Sequence, residues 1–227
     1  MPEKRYEEIK DLIWQEEKKF LTKKVAFDLV LHDALKIGQF TLVSGKKSPY
    51  YVDLRQAISE PMTMDLIANC LARIIVNEIG KNAFDKILGV PTAGVPFTTI
   101  VCQKLAVPML YYRKQRKEHG VRKKIEGRME PSDRILMIDD LITTGKSVIQ
   151  AAEAVREQGG RVAELVVLLD REQGGSESLL ARGIRPHVLF KVSDAFQWLN
   201  EVGLLDADNY RLIVDYIAGE KNRGIDD

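Results

Sequence analysis

The segment Ile135–Val148, ILMIDDLITTGKSV, contains the residues best suited to chemistry. An apolar run ends in two adjacent acids, Asp139 and Asp140. Leu141, Ile142, Thr143, Thr144, Gly145, Lys146 and Ser147 follow, and then a helical pattern begins. The apolar run predicts a buried strand ending abruptly at the acids, and open α/β sheets bind ligands beyond the carboxyl ends of their strands. Paired carboxylates in such a place repel each other and lose solvation, so they need hydroxyl, amide or cationic partners. Gly145 permits a tight turn, and the N–H groups at a helix start, helped by hydroxyls, form a phosphate cradle. A sugar phosphate fits this layout, with its phosphate on the loop and its ribose hydroxyls on the acids. TTGKS also matches the end of the Gly-x4-Gly-Lys-Ser/Thr loop of nucleoside triphosphatases. Asp140 stands where that loop needs its first glycine. The bland alternative is a capped helix after a strand, with solvated acids.

Two other places carry charge with a purpose. Arg171 follows the apolar run VAELVVLLD and offers a planar fork matched to a carboxylate. The alternative is a surface arginine paired with Asp170 or Glu172. Arg113–Arg128 holds eight basic and two acidic residues. Most such runs are solvated loops, but this one could close over a polyanion and exclude water. His119 lies inside it, whereas His32 and His187 have no motif around them and read as structural.

The elements that position these residues follow from periodicity. Residues from about Glu3 to Gly38 read as helical, with Leu12–Trp14 in one helix, Val25–Leu35 in another and Gly38 as the stop. FTLVSGKKSPYYVDL reads as a hairpin, and Pro61 opens a helix. From Lys86 onward, KILGV, VPMLYY, ILMID, VAELVVLLD and HVLFKV are five strands separated by helical stretches. Two further helical stretches, about Ser193–Val202 and Asp206–Ile217, close the chain. This alternation predicts an α/β fold, a mainly parallel sheet with helices on both faces, plus a small N-terminal helical and hairpin hood. One domain spans 1–227, with the hood mainly in 1–60 and the α/β core in about 61–227.

Composition removes other function classes. The net charge of +1 over 227 residues gives no global field toward nucleic acid or a membrane. The charged N-terminus lacks a signal peptide's apolar core, no apolar run spans a bilayer, and a cytoplasmic location is expected. Cys70 and Cys102 are too few and too far apart for a zinc site and read as buried thiols on helices.

IDDLITTGKS resembles the phosphoribosyl pyrophosphate motif of the type I phosphoribosyltransferases. Three more segments are similar to the orotate-specific members: FTLVSGKKSPYYVDLR, YYRKQRKEHG and LLDREQGG. The likeness runs from about Val25 to Ile217. It implies a type I phosphoribosyltransferase fold with a mobile loop, and a reaction between orotate and phosphoribosyl pyrophosphate with Mg²⁺ carried in by the latter. It implies a homodimer with shared active sites. The expected phosphoribosyl pyrophosphate ligands are Arg113, Lys114, Lys117, His119 and Asp139–Ser147. Asp139, Asp140, Lys117 and His119 are expected to be catalytic, while Thr143, Arg171 and Tyr51 hold orotate. Many bacterial members carry lysine at the places of Val43 and Ala93, leaving Lys46 or Lys47 to compensate here. The chain is too short to include a fused decarboxylase domain. A non-catalytic regulator on the same fold and a purine-specific enzyme are the alternatives. The intact basic loop speaks against the first, and LLDREQGG against the second.

Overall fold

The computed structural model describes residues 2–42, 45–113 and 124–223. No glycine or proline interrupts the chain between Glu3 and Ile37, and one helix, α1, runs unbroken over Pro2–Leu31. This corrects the expected pair of helices: nothing between Trp14 and Val25 breaks the pattern. The helix stops at a turn in which Asp33 takes a left-handed φ of 57°. Leu35–Thr41, part of it expected to be helical, is strand β1. It pairs antiparallel with β2, Lys47–Val52. Gly38 is therefore no helix stop. It sits at the register irregularity between Ile37 and Phe40 with a φ of 148°, a bulge conformation natural for glycine.

Pro61 does open a helix, α2 (Pro61–Ile74), which continues into a π turn at Ile75–Ile79. Then come β3 (Lys86–Gly89), α3 (Gly94–Leu105), β4 (Met109–Tyr112), β5 (Ile125–Glu126), β6 (Arg134–Ile142), α4 (Lys146–Glu157) and β7 (Arg161–Asp170). The chain ends with α5 (Gly175–Leu180), β8 (Arg185–Lys191), α6 (Val192–Glu201) and α7 (Ala207–Arg223). The sheet order is β5-β4-β3-β6-β7-β8. All neighbours are parallel except β4 and β5. The two-residue edge strand β5 lies inside the basic run and was not expected.

Alternate residues of the sheet feed two cores. Ile87, Leu136, Ile138, Val166 and Leu168 face α1, α2, α3, α6 and α7. Leu88, Leu110, Met137, Leu165 and Val167 face α4 and α5. The hairpin is tied to the C-terminal helices by Tyr50, whose ring lies 5.0 Å from Phe196 and 5.8 Å from Tyr216. Cys70 and Cys102 are buried free thiols on α2 and α3, and burial pushes each thiol pKa up to about 12.

His187 joins α1, the π turn and the sheet. Its Nδ1 lies 2.9 Å from Glu78, and its Nε2 lies 2.9 Å from Glu164. Two carboxylate partners require both ring nitrogens to donate, so the ring is held as imidazolium. Burial alone would lower its pKa, but the bonds to Glu78 and then Glu164 overcome that and raise it. Burial would raise Glu78, yet His187, Lys18 and Trp14 bring it down to about 2. A raised histidine stabilises below its unfolded pKa and loses that contribution as pH rises through the folded one. A depressed glutamate stabilises above its unfolded pKa of about 4.5 and loses that contribution as pH falls toward 2. The network is therefore strongest between about pH 4.5 and 6.5. His187→Gln is expected to cost about 1.5–3 kcal/mol at pH 6, a Tm loss of about 3–12 °C, and less at pH 9. Thermal melts at both pH values check this; equal losses would contradict it.

Candidate active site

The order of the sheet reverses between β3 and β6, which places a crevice at their carboxyl ends. Pairing with β3 stops at Gly89↔Ile138, while β6 continues alongside β7 to Ile142↔Asp170. The strand does not end at the acids, as its apolar run suggested. Asp139 and Asp140 lie within it, on a stretch that has a strand neighbour on one side only. A cavity of about 890 Å³ opens here. It is lined by Asp139–Ser147, Tyr51 and Arg171, so the structure brings these expected site residues together.

Asp139 is 6% exposed and accepts a bond from the Asp140 amide at 2.9 Å. A Cβ on Gly94 would sit 2.9 Å from Asp139 Oδ1 and 2.9 Å from the Ile138 carbonyl. The start of α3, the positive end of that helix, is thus pressed against the carboxylate. Asp140, next along the strand, is half-buried and lines the same cavity. Burial raises its pKa, opposed by its hydrogen bond with Asp139 and by the charge of Arg55.

The loop after β6 has a firm back. Gly145 turns with a φ of 76° and no side chain caps α4, which leaves the first N–H groups of that helix to a ligand. A Cβ on Gly175 would come within 2.3 Å of the Thr143 carbonyl. Only glycine lets the start of α5 pack this closely behind the loop.

Arg171 follows β7, its amide bonded to the Ile142 carbonyl at 3.0 Å. Neither acidic neighbour takes its guanidinium in an ion pair. Asp170 accepts from Ser176 Oγ at 2.6 Å and from the Glu172 amide at 2.7 Å, while Glu172 accepts from the Ser193 amide at 3.1 Å. The guanidinium lies 5.6 Å from the Tyr50 ring, and its buried Nε and Nη2 have no hydrogen-bond partner among the described residues.

Other expected residues lie elsewhere. Arg113 is outside the cavity and pairs with Glu126 at 2.9 Å. Lys114, Lys117, His119 and Val43 fall outside the described residues. Lys46 reaches Glu220 at 3.5 Å and does not line the cavity. Lys36 does line it, beside Asp33 at 3.4 Å, as do Arg55 and Phe40, whose ring lies 5.7 Å from Tyr51. Reading Val25–Leu35 as a helix that continued to Gly38 hid Lys36. Phe40 and Arg55 lie in the hairpin segment FTLVSGKKSPYYVDLR, but no spacing points them at a ligand.

Comparison with known proteins agrees with this geometry. A family described as the phosphoribosyl transferase domain matches residues 57–200. The chain is 40% identical over 190 residues to orotate phosphoribosyltransferase of Sulfolobus acidocaldarius, covering 84% of this chain and 93% of that protein. It is 40% identical over 184 residues to bovine uridine 5'-monophosphate synthase, covering 81% of this chain but 38% of the larger protein. Among solved structures it resembles Mycobacterium tuberculosis orotate phosphoribosyltransferase in complex with 5-phospho-α-D-ribosyl 1-diphosphate. The TM-score is 0.61 at 28% identity, covering 77% of this chain and 98% of that one.

Proposed function

The chain belongs to the orotate phosphoribosyltransferases, and from that premise we propose how its residues divide the reaction. The enzyme transfers ribose 5-phosphate from phosphoribosyl pyrophosphate to orotate, releasing pyrophosphate and forming orotidine 5'-monophosphate for pyrimidine biosynthesis. The observation that carries the assignment of roles is Arg171, with two buried, unpartnered guanidinium nitrogens on a cavity that also holds the phosphate loop. A buried donor without a partner is costly, and the orotate carboxylate supplies an anion of matching geometry. Tyr51 and Thr143 flank the base.

The amides and hydroxyls of Thr143–Ser147 hold the 5-phosphate. Leu141 and Ile142 carry the backbone into that loop. Asp139 and Asp140 orient the ribose hydroxyls and favour positive charge developing on the ring as pyrophosphate leaves. Orotate N1 attacks from the opposite face. The carboxylate oxygens of Asp139 and Asp140 suit a hard cation and would face Mg²⁺ carried in with phosphoribosyl pyrophosphate; when bound, the ion would offset part of the leaving group's charge. No described helix is long and apolar enough to cross a membrane, and we place the enzyme in the cytoplasm. Neither nucleic acid nor a membrane takes part.

Arg113, Lys114, Lys117 and His119 receive the pyrophosphate of a neighbouring subunit in a homodimer. Two features support this: the family resemblance, and the position of Arg113 away from its own chain's cavity. Lys117→Ala disables the loop, and Asp140→Asn disables the ribose site. If these two inactive variants are mixed and allowed to exchange subunits, each mixed dimer has one site with both defects and one with neither. Activity returns toward about a quarter of wild type under random, equal exchange. No recovery despite demonstrated exchange would contradict the shared site and leave the reaction assignment standing.

A further inference from the structure

Helix α1 has two apolar faces. One, with Trp14, Val25 and Leu29, is buried in the core. The other carries Tyr6, Ile9, Ile13, Phe20, Phe27 and Leu31, which are between 43% and 68% exposed. These six fall within about 60° of the helix circumference, opposite the core face. Tyr6, Ile13, Phe20 and Phe27 recur at every seventh residue, the spacing of a coiled-coil seam. A surface helix needs one apolar stripe, so the core does not explain the second.

Charge decides what covers it. From Glu8 to Glu17 the helix carries four acids, Glu8, Asp11, Glu16 and Glu17, and one base, Lys10. From Lys18 to Phe27 it carries four lysines and no acid. The segment is complementary to its own reverse. We propose that α1 pairs antiparallel with α1 of a second copy of this chain, on a two-fold axis passing at Phe20.

In that register Phe20 meets Phe20 of the other copy, Ile13 meets Phe27, and Ile9 meets Leu31. Glu16, which also pairs with Lys19 of its own helix, faces Lys23, and Glu17, which also pairs with Arg73 of its own chain, faces Lys24, on opposite flanks of the seam. A parallel pair would set lysines against lysines. Burying half or more of six large side chains from each copy, at about 100 Å² apiece, removes on the order of 1,200 Å². That is the size of a specific interface. The core faces point away from the seam, so the two bodies lie on opposite sides of the helix pair. The interface is isologous and independent of how the active sites are shared.

Disulfide trapping tests the pairing. Ile13→Cys and Phe27→Cys are made separately, each is oxidised alone, and then the two are mixed and oxidised. Antiparallel pairing gives a linked dimer only in the mixture. A cross-link in either variant alone, or none in the mixture, overturns the proposal. Phe20→Glu is expected to halve the solution mass by sedimentation while orotate consumption per subunit is unchanged, because no α1 side chain lines the cavity. Lys23→Glu weakens association about tenfold or more, and Glu16→Lys in the same chain restores it. If Phe20→Glu leaves the mass unaltered and instead abolishes co-sedimentation with anionic phospholipid vesicles, the face is a membrane anchor and the proposal fails.

Discussion

Asp140→Asn is expected to lower turnover on the order of 100-fold, with a much smaller change in orotate affinity. The substitution keeps the shape of the side chain and removes a charge that matters most when the ribose ring becomes cationic. The same change has an opposite effect on the free protein. Burial raises the pKa of Asp140. A carboxylate whose folded pKa is raised stabilises only below its unfolded value, so its ionised form costs stability at neutral pH. Asp140→Asn is therefore expected to raise Tm as it lowers kcat. Steady-state kinetics where chemistry limits, with melts on the same samples, measure both. Unchanged turnover would remove the electrostatic role. Falling stability would mean that the acid is held by bonds that outweigh its burial.

Arg171→Ala is expected to weaken orotate binding by roughly tenfold to a hundredfold and to leave phosphoribosyl pyrophosphate binding nearly intact. The loss of a charge-assisted pair, about 1.5–3 kcal/mol, sets the size. Arg171 Nε and Nη2 are already buried without partners, so the substitution adds no unsatisfied donor. Calorimetric titration of each ligand separates the two effects. Equal weakening of both ligands, or of neither, would show that Arg171 does not hold the base.

These two residues were legible in the sequence for the same physical reason. Each follows an apolar run long enough to be a buried strand, and a charge at that point has been carried to the ligand edge of a sheet at a cost in solvation. Arg171 also required a three-dimensional fact: Asp170 and Glu172 are engaged by Ser176, the Glu172 amide and the Ser193 amide. No spacing reveals that. The hairpin from Phe40 onward was legible, but the first half of strand β1, residues 35–38, was not, because it continues the helical reading of α1 until β2 pairs with it. Lys36 was lost along with it. β6 outran its apolar run because β7 supplies hydrogen bonds past the acids, a contact between distant parts of the chain. The second apolar face of α1 is written plainly in its heptad spacing, yet the same residues satisfy an ordinary helix reading. Only their exposure separates the two.

The most direct test of the whole account is the loss of orotate absorbance on mixing the protein with phosphoribosyl pyrophosphate and Mg²⁺. Orotate is expected to disappear in proportion to phosphoribosyl pyrophosphate added, with pyrophosphate and orotidine 5'-monophosphate appearing in equal amounts. Chelating the metal is expected to stop it. Binding of phosphoribosyl pyrophosphate without turnover, or consumption of a purine base with orotate untouched, would contradict the assignment of this cavity to orotate.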